Sequence, residues 1–98
     1  MKAQLIFKRR IDLSENAFAE LVLWRLPQPV RGSTHTFKYS LAYAVEGECV
    51  LRYDNEAGKG DHRHFEGIET TLNFSDPDAL LAEFWKDVRR WDDENLSS

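Results

Sequence analysis

The fold of this chain is decided by residues 37–54, which carry the sequence Phe37-Lys38-Tyr39-Ser40-Leu41-Ala42-Tyr43-Ala44-Val45-Glu46-Gly47-Glu48-Cys49-Val50-Leu51-Arg52-Tyr53-Asp54. From Phe37 to Val45, large apolar residues alternate with smaller or polar ones, so they fall on one face of a β-strand. Glu46 and Gly47 are typical of a tight hairpin turn, and residues 48–54 return as the paired strand. We therefore expect an antiparallel sheet at the centre of the fold.

A helix is predicted downstream, over about residues 76–92. Asp76 is a capping acid in front of Pro77, which suits the first helical position, and Ser75 is the alternative cap. Apolar residues then recur every three or four positions and form one stripe: Leu80, Leu81, Phe84, Trp85, Val88 and Trp91. We expect this stripe to cover one face of the sheet, and residues 93–98 to form a frayed tail.

The rest of the chain supplies further strands and their connections. Strands are predicted over residues 3–8, 17–26, 61–65 and 68–74. Polar connections are predicted over residues 9–16, 27–36 and 55–60. The strand over residues 17–26 has apolar residues on both faces, and we expect it to be buried on both sides. Short turns between successive strands favour a meander, so the predicted fold is α+β: a single antiparallel sheet of about five strands with a C-terminal amphipathic helix packed on one face.

Length and charge limit the class of protein. Ninety-eight residues with 42% hydrophobic content suit one domain, residues 1–98, with its own core. The net charge of −4 excludes a basic coat for nucleic acid over the whole chain. Residues 1–64 contain ten Lys/Arg and eight Asp/Glu, whereas residues 65–98 contain three and nine. Either the acidic part is simply solvated, or the mildly basic part faces a polyanion while the helix faces elsewhere.

Several single residues have plain structural interpretations. Cys49 cannot form an internal disulfide and is interpreted as a small core residue. Trp24, Trp85 and Trp91 are expected in the core, and His35 is expected to be a polar loop residue. No apolar run approaches the roughly 20 residues that span a membrane, so we expect a cytoplasmic protein without a membrane partner.

The densest polar cluster lies at residues 52–64. If residues 61–64 are extended, His62 and His64 lie on one face, and Asp61 and Arg63 on the other. Two imidazoles can act as acid and base near neutral pH, and neighbouring cations can hold a phosphate. This set suits metal-independent RNA cleavage, without a cofactor. The candidate catalytic residues are His62, His64, Lys59 and Asp61. The candidate substrate-binding residues are Arg52, Asp54, Asn55 and Arg63.

Two other interpretations of the cluster stay open. Loops concentrate polar residues regardless of function, so the cluster could be ordinary surface. A metal site is the other alternative, with imidazole and carboxylate ligands suited to Zn²⁺ or Mn²⁺, although Lys59 and Arg63 would oppose a cation. Its ligands would be Asp54, Asp61, His62 and His64.

The chain also resembles a known family. The likeness covers about residues 3–90, and its specific part runs from Arg52 to His64: Arg52-Tyr53-Asp54-Asn55-Glu56-Ala57-Gly58-Lys59-Gly60-Asp61-His62-Arg63-His64. With the segments 23–27 and 37–43 before it and the helix after it, this pattern is similar to the TumE-like toxins of bacterial toxin–antitoxin modules. The resemblance implies a protein partner, an antitoxin of helix-turn-helix type.

Two hypotheses of function follow. The first is a toxin that cleaves RNA, free or on the ribosome, with His62 and His64 as the acid–base pair. The second is a non-catalytic module whose sheet or acidic helix binds a partner protein. An exposed edge strand or the basic face could also support a homodimer.

Overall fold

The sheet is an antiparallel meander of six strands. The computed structural model describes residues 2–96, and the strands follow one another across the sheet in chain order. They are β1 Gln4–Ser14, β2 Ala17–Arg25, β3 Phe37–Val45, β4 Glu48–Glu56, β5 Gly60–Phe65 and β6 Ile68–Thr71. The helix α1, Pro77–Asn95, follows the last strand. The predicted α+β fold is confirmed, with six strands where about five were expected.

β1 is much longer than predicted, and the expected connection over residues 9–16 is wrong in most of its length. Phe7 and Ile11 pack against the core, whereas Arg10 lies on the other face, opposite Glu20 of β2. β1 is an edge strand, so its charged side chains reach solvent while its backbone pairs with β2. The polar composition of residues 9–14 therefore does not reveal that they form a strand.

The helix covers one face of the sheet only, and this decides which residues form the core. We call this the covered face and the other the open face. Leu21, Leu23, Leu41 and Leu51 are buried on the covered face with Tyr43. The prediction that the second strand is buried on both sides is wrong, because its alternate residues face the open side, where no helix packs.

The same asymmetry corrects the interpretation of Cys49 and Trp24. Cys49 is exposed, because it follows the β3–β4 turn and pairs with Ala44 on the open face. Trp24 is half-buried on that face, opposite Lys38. By contrast, Trp91 is buried under the helix.

The helix begins as predicted and ends later. The Asp76 carboxylate accepts a hydrogen bond from the Ala79 backbone N–H at 2.8 Å, so Asp76 is the N-cap. Of the frayed tail expected over residues 93–98, residues 93–95 are instead helical, because tertiary contacts stabilise the last turn, and residues 97–98 lie outside the described residues. The Tyr43 hydroxyl donates to Asp92 at 2.6 Å, and the Asn95 amide donates to Glu66 at 3.0 Å. No helix among residues 2–96 is both long and apolar enough to cross a bilayer.

The connection from the sheet to the helix starts earlier than predicted. β6 ends at Thr71, and residues 72–76 form no strand, although residues 68–74 were expected to be one. The Leu72 N–H still donates to the Asp61 carbonyl at 3.0 Å, but its side chain is buried in the core. At the neighbouring β4–β5 turn, both strands extend into the predicted loop, so only residues 57–59 turn.

The meander separates the charges along the strand direction. One end of the sheet, the acidic end, carries the turns at residues 15–16, 46–47 and 66–67 together with the C-terminus of α1. Its acids are Glu15, Glu46, Glu48, Glu66, Asp92, Asp93 and Glu94. The other end, called the basic end, carries the loop over residues 26–36, the turn over residues 57–59 and the N-terminus of α1. Its cations are Arg25, Arg31, Lys38 and Lys59, and its acids are Glu56, Asp61, Asp76 and Asp78, so this end is basic only by comparison with the acidic end.

The N-cap can be tested by substitution. Asp76→Ala should lower the free energy of unfolding by about 1 kcal/mol, because it leaves helix N–H groups unpaired. Urea denaturation followed by circular dichroism measures the change. Ser75→Ala is the matched control, and an equal loss in both variants would contradict the assignment of Asp76 as the cap.

Candidate functional site

Strand β5 divides the predicted site between the two faces of the sheet. Asp61 and Arg63 lie on the covered face, where Asp61 contacts Tyr39 and Arg63 contacts Asp87 of the helix. His62 and His64 lie on the open face. The alternation predicted for residues 61–64 is therefore confirmed, and the eight candidate residues do not form one cluster.

Asp61 is the centre of a hydrogen-bond network on the covered face. Its carboxylate accepts from the Ser33 hydroxyl at 2.7 Å, the Tyr39 hydroxyl at 2.6 Å and His35 Nε2 at 2.7 Å. Burial on its own would raise the pKa of Asp61, but hydrogen bonds from Tyr39, His35 and Ser33 lower it below the ordinary aspartate value. The same contact with Asp61, together with burial, raises the pKa of Tyr39.

His35 lies in the loop, as expected, and it is also part of this network. Its Nδ1 accepts a hydrogen bond from the Phe37 backbone N–H at 3.1 Å, so the ring proton lies on Nε2 and points to Asp61. The ring stacks on Phe74 with centroids 3.8 Å apart. Both nitrogens are engaged, so His35 orders the loop over residues 26–36 and has no nitrogen free for proton transfer.

Asn55 has a comparable structural role. Its side chain is fully buried, and its amide donates to the Phe37 carbonyl at 2.7 Å while accepting from the Tyr39 N–H at 3.0 Å. A buried amide with its polar atoms paired is not available to a substrate. Asn55 instead binds β4 to the start of β3.

Arg63 connects the sheet to the helix. Its Nε donates to Asp87 at 2.6 Å, and the same Asp87 oxygen accepts from the Tyr53 hydroxyl at 2.5 Å. Burial would raise the pKa of Asp87, but the hydrogen bonds from Arg63 and Tyr53 lower it. The Arg63 guanidinium thus has a carboxylate partner, and the other cations of the cluster are freer to meet an anion.

The open face holds a pair of histidines around one carboxylate. His62 Nδ1 lies 2.7 Å from Glu69 Oε1, and His64 Nε2 lies 3.9 Å from Glu69 Oε2. His62 Nε2 donates to the Lys59 carbonyl, because a carbonyl oxygen can only accept. The Nδ1 contact is close in distance but lacks hydrogen-bond geometry, and Nδ1 is a buried atom without a hydrogen-bond partner in residues 2–96. The imidazole and the carboxylate are therefore in close contact without a hydrogen bond between them.

The remaining candidates surround this pair. Arg52 is directly opposite His64 across the β4–β5 ladder, and Asp54 is directly opposite His62. Arg52 Nε is 3.8 Å from Asp54 Oδ2, and half of the Arg52 side chain is exposed. Lys59 is exposed in the β4–β5 turn, 3.9 Å from Glu56. The open face thus combines two imidazoles, a shared carboxylate and exposed cations.

The alternative of a metal site is not supported by this arrangement. Asp61 lies on the face opposite to Asp54, His62 and His64, so the four proposed ligands do not converge. In the described part of the chain, no group of three or more His, Cys, Asp or Glu side chains is placed to hold a metal ion.

Glu69 is the site residue that sequence reasoning missed. A signal was present, because Glu66-Gly67 is a two-residue turn, and a hairpin closed there pairs Phe65 with Ile68 and His64 with Glu69. The network of Asp61 with Ser33 and His35 had no such signal, since its partners are 26 to 28 residues apart in the sequence.

Comparison with known proteins agrees with the resemblance. The family model described as Toxin TumE matches residues 2–92. The chain belongs to the TumE toxin family. This membership gives the protein a toxin role and implies an antitoxin partner. No curated protein and no solved structure gave a significant match, so the roles of individual residues in this TumE toxin have to be argued from its own geometry.

A pair of arginine variants, one on each face of the sheet, can distinguish the contributions of the two faces to stability. Arg63→Gln should lower the free energy of unfolding by about 2 kcal/mol, because it leaves the half-buried Asp87 without its cation. Arg52→Gln, on the open face, should change it by less than about 0.5 kcal/mol. Urea denaturation of both variants checks this, and equal losses would contradict the division of the site.

The lowered pKa values of Asp61 and Asp87 predict a dependence of stability on pH. Both carboxylates bind protons more weakly in the folded than in the unfolded chain, so their contribution is complete above the unfolded value of about 3.9 and is lost as the pH falls through the folded values. The free energy of unfolding should therefore fall from about pH 5 towards pH 2.

The variant Asp61→Asn tests the contribution of Asp61 to this dependence of stability on pH. The variant should be about 2 kcal/mol less stable at pH 7, because neutral Asn accepts the three hydrogen bonds less well, and its stability should fall less between pH 5 and pH 2. Urea midpoints across this range measure both changes. Glu48→Gln, an exposed position, is the control. A wild-type pH profile retained in Asp61→Asn would be evidence against the network.

Proposed function

We propose that this toxin cleaves RNA without a metal ion, using His62 and His64 on the open face. The observation that carries the proposal is the placement of two imidazoles around Glu69, with the exposed Arg52 guanidinium directly opposite His64. Neighbouring acid–base groups beside exposed cations suit attack within a phosphodiester, in which a proton is taken at one oxygen and given at another.

The two histidines have different surroundings and so different proposed roles. His64 is the more exposed and makes only the long contact with Glu69, so it takes the proton of the ribose 2′-hydroxyl. The 2′-oxygen then attacks phosphorus and the bond to the 5′-oxygen breaks. His62, whose Nδ1 lies beside Glu69, gives a proton to that leaving oxygen. The products are a 2′,3′-cyclic phosphate and a 5′-hydroxyl.

The spacing of the pair fits this division. Residues two apart on a strand are separated by about 6.6 Å, so the two rings can stand on either side of one phosphate. The side chain of Glu69 is nearly half exposed on the edge strand β6. In this mechanism the incoming phosphate displaces Glu69 from His62, which frees Nδ1 for proton transfer.

The other candidate residues have two kinds of role in this scheme, phosphate binding and positioning. Arg52 and Lys59 bind the phosphate on the open face, and Asp54 holds Arg52 in place. Asp61, Asn55 and Arg63 are positioning residues in this scheme, because they order the strands and the turn from the covered face. No cofactor takes part in the proposed reaction.

Partners follow from the same surface. An antitoxin of helix-turn-helix type would neutralise the toxin by covering the open face, and the RNA substrate would be reached in the cytoplasm, free or on a ribosome. A second copy could pair at the exposed edge of β1, where Leu5, Ile6 and Leu13 are exposed.

A non-catalytic binding module is the second candidate function. It is favoured by the same exposed residues of β1 and by Ile68 on the opposite edge strand, whose side chain is 66% exposed. An exposed strand edge can pair with a strand of another protein. In that case toxicity would depend on the edges of the sheet, and the histidines would be dispensable.

The decisive experiment is induced expression in a bacterial host. His62→Ala/His64→Ala should lose growth arrest and at least about 100-fold of the RNA cleavage rate, since a positioned acid or base contributes about 10²–10⁴. Growth curves and the integrity of total RNA measure this. Ser40→Ala, on the same face, is the matched control and should remain toxic.

Two results would contradict the catalytic proposal. One is growth arrest by the double variant equal to that of the wild type, with its fold confirmed by circular dichroism. The other is arrest by the wild type with intact RNA, which would favour the binding module. RNA ends should carry cyclic phosphate and 5′-hydroxyl groups if the proposed chemistry is right.

A further inference from the structure

One cavity, lined in part by Thr70, lies between β6 and the helix. A smaller one lies at the basic end of the sheet, and its lining includes His35 and Asp61 of the covered face. Its volume is about 260 Å³, and its walls come from the loop over residues 26–36, the β4–β5 turn and residues 71–74. Ligand sites for drug-sized molecules occupy about 300–1,000 Å³, so this cavity suits a single small ring system. Neither the acid–base mechanism nor the fold requires an opening here.

The cavity offers exposed polar groups that can hydrogen-bond a ligand. Thr34, Thr71 and Asn73 line it, and all three are exposed. None of their side chains makes a hydrogen bond within residues 2–96. A side-chain amide presents a donor and an acceptor side by side, as the edges of nucleobases do, and hydroxyls can serve either role.

Aromatic rings form another part of the wall. His35 and Phe74 both line the cavity and stack on each other with an interplanar angle of 23°. Unpaired RNA bases bind by stacking on aromatic side chains together with hydrogen bonds to their edges. The lining thus places a stacked aromatic pair beside side chains that can hydrogen-bond a base.

The walls are held in place before any ligand arrives. Gly32 and Gly60 both have positive φ, and a Cβ atom on Gly60 would lie 2.9 Å from the Gly32 carbonyl oxygen, so only glycine permits this approach of the two segments. The Gly58 N–H also donates to the Arg31 carbonyl at 2.6 Å. A preformed cavity reduces the entropy lost on binding.

Two lining residues connect the cavity to the proposed catalytic pair. The Lys59 carbonyl accepts a hydrogen bond from His62, and Thr71 is directly opposite His62 in the β5–β6 ladder. The cavity thus adjoins His62 around the end of β5, and a strand of RNA that passes this end could present a base to the cavity and a phosphate to the open face. Lys59 itself lines the cavity, and its side chain is exposed.

We infer that this cavity binds one unpaired nucleobase of the RNA, next to the phosphate that is cleaved, and so gives the toxin a base preference. The inference rests on the proposed function for the source of the base. A free nucleotide shares the same chemistry, so the test has to separate the two sources.

The first arm of the test measures binding of the four nucleoside 3′-monophosphates by NMR of ¹⁵N-labelled protein. One nucleotide should bind about tenfold more tightly than the weakest of the others and should shift the Asn73 side-chain amide. Asn73→Ala and Thr34→Val should each weaken that binding by about tenfold. Thr70→Ala, which lines the other cavity, is the control and should bind as the wild type does.

The second arm maps cleavage positions on a pool of random single-stranded RNA by sequencing. Wild type should show one enriched base beside the cut, and Asn73→Ala should still cleave while this enrichment falls. Unselective or absent nucleotide binding overturns the inference, as does selective nucleotide binding with cuts that show no base bias. If wild type does not cleave at all, the proposed function fails, and the first arm still decides whether the cavity is a base site.

Discussion

The arrangement of helix and sheet depends on the hydrogen bonds that the Asp87 carboxylate accepts. It accepts from Tyr53 on β4 and from Arg63 on β5, so one group fixes the helix across two strands. The other two tyrosines of the chain follow the same rule, since Tyr39 donates to Asp61 and Tyr43 to Asp92. In each case the ring lies in the core and the hydroxyl reaches a carboxylate at its margin, which satisfies the polar tip of a buried aromatic residue.

These contacts determine where chemistry can occur. The two polar residues that β5 directs to the covered face, Asp61 and Arg63, are both engaged in contacts that hold the fold together. The open face has no helix above it, so His62 and His64 keep room for a ligand. The separation follows from the two-residue period of a strand, and it allows the open face to be altered without disturbing the contacts that hold the helix.

Much of this could be predicted from the sequence, and the failures have physical causes. The hairpin over residues 37–54, the helix with its Asp76 cap and the opposite orientation of His62 and Arg63 all follow from local periodicity. The length of β1 could not be predicted from local periodicity, because the charged side chains of an edge strand can extend into solvent. The last helical turn could not be predicted in this way either, since it depends on a contact with Tyr43, which is distant in the sequence. The partners of Asp61 come from tertiary contacts that no local pattern encodes.

The separation of charge between the two ends of the sheet has a consequence for how the molecule meets other molecules. The helix runs from the basic end to the acidic end, so its own dipole points the same way as the side-chain charges. Its last turn carries acids and no basic residue, which is unfavourable for an isolated helix and strengthens the total dipole moment. In the field of a polyanion, the protein would rotate during diffusion and arrive with the loop of Arg31 and the turn of Lys59 in front. This orientation would come from the separation of charge alone, because the net charge of −4 repels a polyanion as a whole.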